Sequence, residues 1–321
     1  MQLGLMAASV AHLGWEQALA ICKKLELDTI EIPCGAYVKN RLFDFDQLLS
    51  DESQRKRILE DVARHELRLS ALGGHANPVH PSSEIAQQHE AIHDKTVQLA
   101  SSLDVDVVIC FSGCPGGSPN DTTPNWVTCA WPPEFRTILE YQWNDVLLPF
   151  WERKAREAKA LGVRLAIEPH PGFAVYNPET LLKLRSVSDN IGVNFDPSHL
   201  FWQGIDPIEA VRCFGDAGAI FHIHAKDTAI DPTNTKVNGV LDSKSYGDLD
   251  KRSWVFRTCG YGHGDDFWKP FISMLRAKGY DGTLSIEHED AYMSGPEGLK
   301  KAVEYLSPLI IREAAGKAWW F

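Results

Sequence analysis

Short apolar runs of strand length alternate with longer amphipathic stretches from one end of the chain to the other. Residues 3–7, 29–33, 68–72, 107–111, 164–168, 192–196, 219–224 and 282–287 read as strands, because their apolar positions run on with little polar interruption. Between them, residues 15–25, 53–65, 84–103, 146–161, 178–184, 207–214, 268–278 and 295–311 carry the three-to-four-residue apolar spacing of helices with one buried face. Strands without a polar face belong in a parallel sheet covered by helices on its outer side. Eight strand–helix units in succession fit a closed (β/α)8 TIM barrel better than an open sheet.

Two connections are long for such units. Residues 112–141 are rich in Gly, Pro, Asn and Trp, and residues 227–266 are polar and Gly-rich. Both follow strand ends, so in a barrel both excursions, after strands four and seven, lie on the face where barrel enzymes carry their chemistry. Neither separates pieces that could each complete a fold, so residues 1–321 are expected to form a single barrel domain.

The composition of the 321 residues narrows the function. With 32 basic against 43 acidic residues the net charge is −11, which opposes a nucleic-acid groove. Cys22, Cys34, Cys110, Cys114, Cys129, Cys213 and Cys259 are odd in number and hold no CxxC pair, as expected of reduced thiols. The first residues lack a basic segment followed by an apolar run, and no stretch approaches the ~20 apolar residues of a membrane span. A cytoplasmic protein with no membrane partner is the expectation.

The ends of the last four strands carry the chemistry. VRLAIEPHPG places Glu168 at the end of strand five, and IGVNFDPSHL places Asp196 at the end of strand six, with His199 three residues on. AIFHIHAKD supplies His222, His224, Lys226 and Asp227, and GTLSIEHED supplies Glu287. Barrel strand ends form a ring, so three carboxylates and an imidazole converge there. Carboxylates that close repel unless some are protonated or a cation sits among them. Three oxygens and one nitrogen suit Mn2+ or Mg2+, with Co2+ as a substitute, better than zinc.

IEPHPG, NFDPSHL, HIHAKD and SIEHED resemble the strand ends of the xylose isomerase-like barrels, most clearly over residues 163–310. That group includes ketose 3-epimerases, inosose dehydratases, hydroxypyruvate isomerases and apurinic endonucleases. The resemblance implies a metal site of Glu168, Asp196, His224 and Glu287, with one divalent cation, Mn2+ first. His224 rather than His222 is the ligand, because the family's histidine is the second of the HxH pair; His222 then sits deeper and hydrogen-bonded. The resemblance also implies a sugar isomerase or epimerase that abstracts a proton beside a carbonyl through a metal-stabilised enediolate, with Glu168 and Glu287 as the two catalytic acid–base groups on opposite faces.

Further substrate-binding candidates are His75 after strand three, Glu31 on strand two, His199, Lys226, and the pair Arg257 and His263 in a Gly-rich loop before a helix. An alternative for Lys226 is a pairing with Asp227. Trp126, Trp131 and Trp143 lie in or beside the first excursion, where aromatic faces could stack on sugar rings. The apolar terminus Trp319, Trp320 and Phe321 suits burial in its own barrel or a homo- or hetero-oligomer. The runner-up activity is a lyase on the same site, eliminating from a 3-oxo-glycoside or dehydrating a ketocyclitol. More remote readings are a phosphodiesterase, for which strand four offers no histidine, and a non-catalytic barrel subunit.

Overall fold

The computed structural model describes residues 1–39, 42–314, 316 and 320. Each expected apolar run becomes a strand: β1 (Gln2–Met6), β2 (Thr29–Pro33), β3 (Arg68–Gly74), β4 (Val107–Cys110), β5 (Arg164–Ile167), β6 (Ile191–Phe195), β7 (Ile220–Ala225) and, last in the chain, β10 (Thr283–Ile286). They pair in parallel and close in the order β1-β10-β7-β6-β5-β4-β3-β2, an eight-stranded barrel. Two further strands, β8 (Asp227–Ile230) and β9 (Trp254–Arg257), form an antiparallel pair inside the second excursion.

The helices are α1 (Trp15–Lys24), α2 (Phe45–Ser50), α3 (Glu52–Arg64), α4 (Ser83–Ser102), α5 (Glu134–Glu140), α6 (Leu148–Ala160), α7 (Pro178–Arg185), α8 (Ser198–Phe201), α9 (Pro207–Asp216), α10 (Pro232–Asn238), α11 (Asp265–Ala277) and α12 (Gly295–Leu306). Their starts are written locally. Asp51, Asp206 and Asp231 each accept two backbone N–H bonds, and Asn177 with Thr180 closes a capping box. Outward strand residues such as Leu165, Ile167, Val193 and Phe195 pack under the helices in one continuous core. Ala71, Val107, Ile109 and Ala166, with Phe221 against them, form a separate small cluster inside the barrel.

Alternation along the strands decides which side chains rise through the interior. Gly192, Asn194 and Asp196 follow one another on β6 and its end; His222, His224 and Lys226 do so on β7; Thr283, Ser285 and Glu287 do so on β10. Gly192 is required by close approach: a β-carbon there would lie 2.5 Å from the Ala219 carbonyl oxygen and the Phe221 ring.

The excursions are built rather than loose. After β4, Gly113 turns at φ +79°, and Asn77 exchanges two hydrogen bonds with the Cys114 backbone, tying the segment to the β3 loop. A π-helical stretch (Tyr141–Leu147) joins α5 to α6 and turns the Gln142 amide inward, where it donates to the carbonyls of Pro115, Gly116 and Asn125. In the second excursion, the Asp227 carboxylate collects the N–H groups of Thr228, Gly260, Gly262 and His263. Of the apolar terminus, Trp320 is described and largely exposed; Trp319 and Phe321 lie outside the described residues. Among the described residues no helix is long and apolar enough to cross a membrane.

Candidate metal centre

Glu168, Asp196 and Glu287 each stand one residue past a strand end, and His224 is the penultimate residue of β7. One ligand atom from each of the four lies within 4.8 Å of the others. Glu168, Asp196 and His224 are fully or almost fully buried, and Glu287 is 12% exposed at its side chain. β5 and β10 stand three places apart around the barrel, with β6 and β7 between them, so the two glutamates flank the cluster.

Hydrogen bonding sets the histidine. His224 Nε2 lies 3.2 and 3.0 Å from the two Glu31 oxygens, which only accept, so Nε2 carries a proton. Nδ1 then faces Glu168 Oε2 and Glu287 Oε2 at 3.3 Å each, with no hydrogen-bond partner. Without an ion, and against the effect of burial, Glu31, Glu287 and Glu168 favour a second proton on this ring, at Nδ1. A cation would take that proton's place, meeting a nitrogen lone pair and two carboxylate oxygens turned on one point, and the residues fit a hard-to-borderline divalent ion. Were an ion bound at Nδ1, the Glu31 contact would orient the imidazole from behind.

The surrounding charges say the same. Four carboxylates, Glu31, Glu168, Asp196 and Glu287, meet one lysine in this part of the interior. Without an ion the protein must answer with protonated side chains. Burial pushes the Glu168 carboxyl up, and hydrogen bonds from His199, His224 and His75 reverse it, holding it well below the usual carboxylate range. Burial opposes a charged His199, yet Asp196 and Glu168 raise it to about 9. The same opposition holds at Lys226, whose ammonium lies 3.1 Å from Asp196, 2.7 Å from Glu287 and 3.0 Å from Glu289.

Of the substrate-binding candidates, His75, His199 and Lys226 join the cluster. His75 Nε2 is 3.5 Å from Glu168, and His199 Nε2 is 3.2 Å from both Glu168 and Asp196. Lys226 does not turn to Asp227, which is occupied by the backbone of its own loop. Glu31 lies one layer lower than the strand-end acids, fully buried beneath His224 and hydrogen-bonded by Ser285, so it supports the site from within the protein. Arg257 and His263 stand apart from the cluster. Arg257 pairs with Asp290, and His263 pairs with Asp227 and stacks on Phe201 at 3.7 Å.

Sequence reasoning passed over Asn194, whose amide donates to Glu168 at 2.7 Å and faces His222 at 2.9 Å. Its signal was present: Asn194 precedes Asp196 by two residues, so both point inward. Ser285 stands in the same relation to Glu287. An aromatic collar was also missed. Phe111 stacks on Phe173 at 4.2 Å and meets His75 edge-on, while Phe256 lies 4.7 Å from the Lys226 ammonium and 5.5 Å from the His199 ring. Trp126 and Trp143 line a neighbouring cavity of about 450 Å³ with Tyr176, whereas Trp131 is exposed.

Comparison with known proteins bears on the family and the fold. The chain is 40% identical over 314 residues to Uncharacterized protein YfiH of Bacillus subtilis (strain 168), spanning 97% of this chain and 99% of that protein. It is 28% identical over 188 residues to the inosose dehydratase of Geobacillus kaustophilus (strain HTA426), spanning 56% and 57% of the two chains. A solved D-psicose 3-epimerase, crystallised in the presence of D-fructose, shares the fold at a TM-score of 0.60 and 13% identity, over 97% of this chain and 99% of that one. The family model that matches covers residues 19–309, and the chain belongs to the xylose isomerase-like TIM barrel family.

Proposed function

We propose that this chain is a divalent-metal-dependent sugar isomerase or epimerase, in which Glu168, Asp196, His224 and Glu287 hold one ion, Mn2+ by the preference of its oxygen-rich donors. The observation that carries the reading is the placement of Glu168 and Glu287 on either side of His224 Nδ1, each 3.3 Å away. The bound ion supplies Lewis acidity that makes a carbon-bound proton beside a sugar carbonyl easier to remove.

The chain's own groups do the rest. Glu168 and Glu287 face the substrate carbon from opposite sides, so one oxygen can take the proton and another can return it from the far face. Asn194 holds one Glu168 oxygen by its amide and so restricts how that carboxylate can turn. His199, whose Nδ1 is unpartnered, would donate to a sugar hydroxyl, and Lys226 holds Asp196 and Glu287 in place. Phe111, Phe173 and Phe256 keep bulk water from the reacting atoms, so that these charges act more strongly.

A second reading is favoured by one comparison: the Geobacillus kaustophilus relative is an inosose dehydratase. Dehydration opens with the same proton removal and then expels a hydroxyl, for which a protonated His199 would be the acid. Product analysis separates the two. The Mn2+-loaded protein is incubated with ketoses, inososes and 3-oxo-glycosides, and products are followed by NMR. Interconverting epimers or aldose–ketose pairs support the isomerase; an alkene or free aglycone assigns the lyase; neither on any substrate refutes both.

A further inference from the structure

Beneath the metal centre lies a second set of metal-binding side chains. One ligand atom each from Glu31, His222 and His224 lies within 4.8 Å of the others, and all three residues are buried. The tautomer of His222 follows from its neighbours. The Asn194 nitrogen must face Glu168, because a carboxylate only accepts, so its oxygen faces His222 Nδ1 at 2.9 Å and that nitrogen carries the proton. His222 Nε2 is therefore a bare lone pair. It is buried without a hydrogen-bond partner and points at Glu31 Oε2 across 3.9 Å, too long for a hydrogen bond. The His222 lone pair and a Glu31 oxygen, which accepts from His224 and Ser285 but not from His222, face one another in the buried interior. That arrangement is unfavourable unless a positive charge or a donor lies between them.

His222 is also approached from the side away from the catalytic face. A cavity of about 210 Å³ sits at the opposite mouth of the barrel, lined by strand-start residues including Thr29, Arg68, Arg164 and Thr283, and it reaches His222.

We propose that Glu31, His222 and His224 form an inner divalent-cation site that shares the His224 ring with the outer centre. Two imidazole nitrogens and one carboxylate are a donor set that zinc favours, in contrast to the oxygen-rich outer set. His222 serves the inner ion alone, and Glu31, the hydrogen-bond partner of His224 in the metal-free protein, becomes a ligand. His224 contributes Nε2, whose proton passes to solvent when the ion binds, while Nδ1 continues to face the outer cluster. Ser285, 2.9 Å from Glu31, holds the carboxylate in place. The site meets the proposed reaction centre only at His224 and does not depend on which sugar is converted.

The test counts metal without using activity. The metal-free full-length protein is titrated with Zn2+, and bound zinc is measured after dialysis. The expected result is two equivalents in the wild type, one in His222→Leu, and one in the Asp196→Asn/Glu287→Gln double variant. One equivalent in the wild type, lost in the double variant and kept by His222→Leu, overturns the inner site and leaves the outer one standing; a water alone then bridges His222 and Glu31. No bound zinc in the wild type refutes both sites. Should His222→Leu fail to fold, cobalt spectroscopy of the wild type decides: the nitrogen-rich inner site gives an intense visible band beside the weak outer one. Weak bands alone overturn the proposal.

Discussion

Removing the one lysine in the cluster should destabilise the metal-free protein far more than the metal-loaded one. The Lys226 ammonium is 3% exposed, touches Asp196, Glu287 and Glu289 between 2.7 and 3.1 Å, and lies over the Phe256 ring. At an effective dielectric near 20, unit charges about 3 Å apart attract by roughly 5–6 kcal/mol before the cost of burial is subtracted. Glu289 is half exposed, so its share is screened. Breaking a buried pair by deleting one partner costs about 3–5 kcal/mol, because the other charge stays behind. Lys226→Met is therefore expected to lose about 3–5 kcal/mol when metal-free. A divalent ion restores positive charge beside Asp196 and Glu287, so the loss should shrink by at least half in saturating Mn2+. Urea unfolding followed by tryptophan fluorescence, with EDTA and with Mn2+, measures both numbers. A metal-free variant within about 0.5 kcal/mol of wild type, or an equal loss with and without Mn2+, refutes the reasoning.

Other perturbations have equally definite outcomes. His93 is buried against Trp151, and burial, with Lys154 adding to it, lowers its pKa to about 4. The unfolded chain then takes up the proton first, so stability falls as pH drops from about 6.5 to 4, by about 3 kcal/mol in total. His93→Gln should flatten that part of the profile, and an unchanged slope in denaturant unfolding at several pH values counts against the assignment. Asp227→Ala should free the turn at 260–263 and speed proteolytic nicking there about tenfold, with the barrel's circular dichroism intact; equal cleavage rates would show the carboxylate is no anchor. Gly192→Ala should cost about 1–3 kcal/mol in thermal unfolding, since neither the Ala219 carbonyl nor the Phe221 ring yields easily; no change would show that the lower barrel relaxes.

Much of this architecture was legible along the chain. Strands such as Val107–Cys110 and Ile191–Phe195 are buried on both faces, so their runs are apolar but for Asn194 and stand out against the helical spacing around them. The acids that end β5, β6 and β10 follow those runs directly, which is why Glu168, Asp196 and Glu287 could be placed in one ring. Features that depend on closure were hidden. Glu31 meets His224 only because β1 and β10 stand between β2 and β7 in the closed order, and no local pattern states that contact. The β8–β9 pair was read as part of a polar loop, since its strands are four residues each and their inner face appears only when Phe256 and Trp254 pack with Trp202. The π-helical stretch at Tyr141–Leu147 is likewise set by tertiary demand: the Gln142 amide has three carbonyls to satisfy. Arg257 looked available beside a Gly-rich loop, but Asp290 lies 33 residues away in sequence and captures it in space.

Proton abstraction beside a carbonyl is measured most directly by exchange of solvent deuterium into that carbon-bound position. It is followed by NMR in D2O with inososes, ketoses and 3-oxo-glycosides as the panel. Exchange is expected on at least one substrate with Mn2+ present, none after EDTA, and a loss of at least a hundredfold in both Glu168→Gln and Glu287→Gln. Exchange that persists without a divalent ion, or that survives in both glutamine variants, would contradict metal-assisted proton abstraction by the two glutamates.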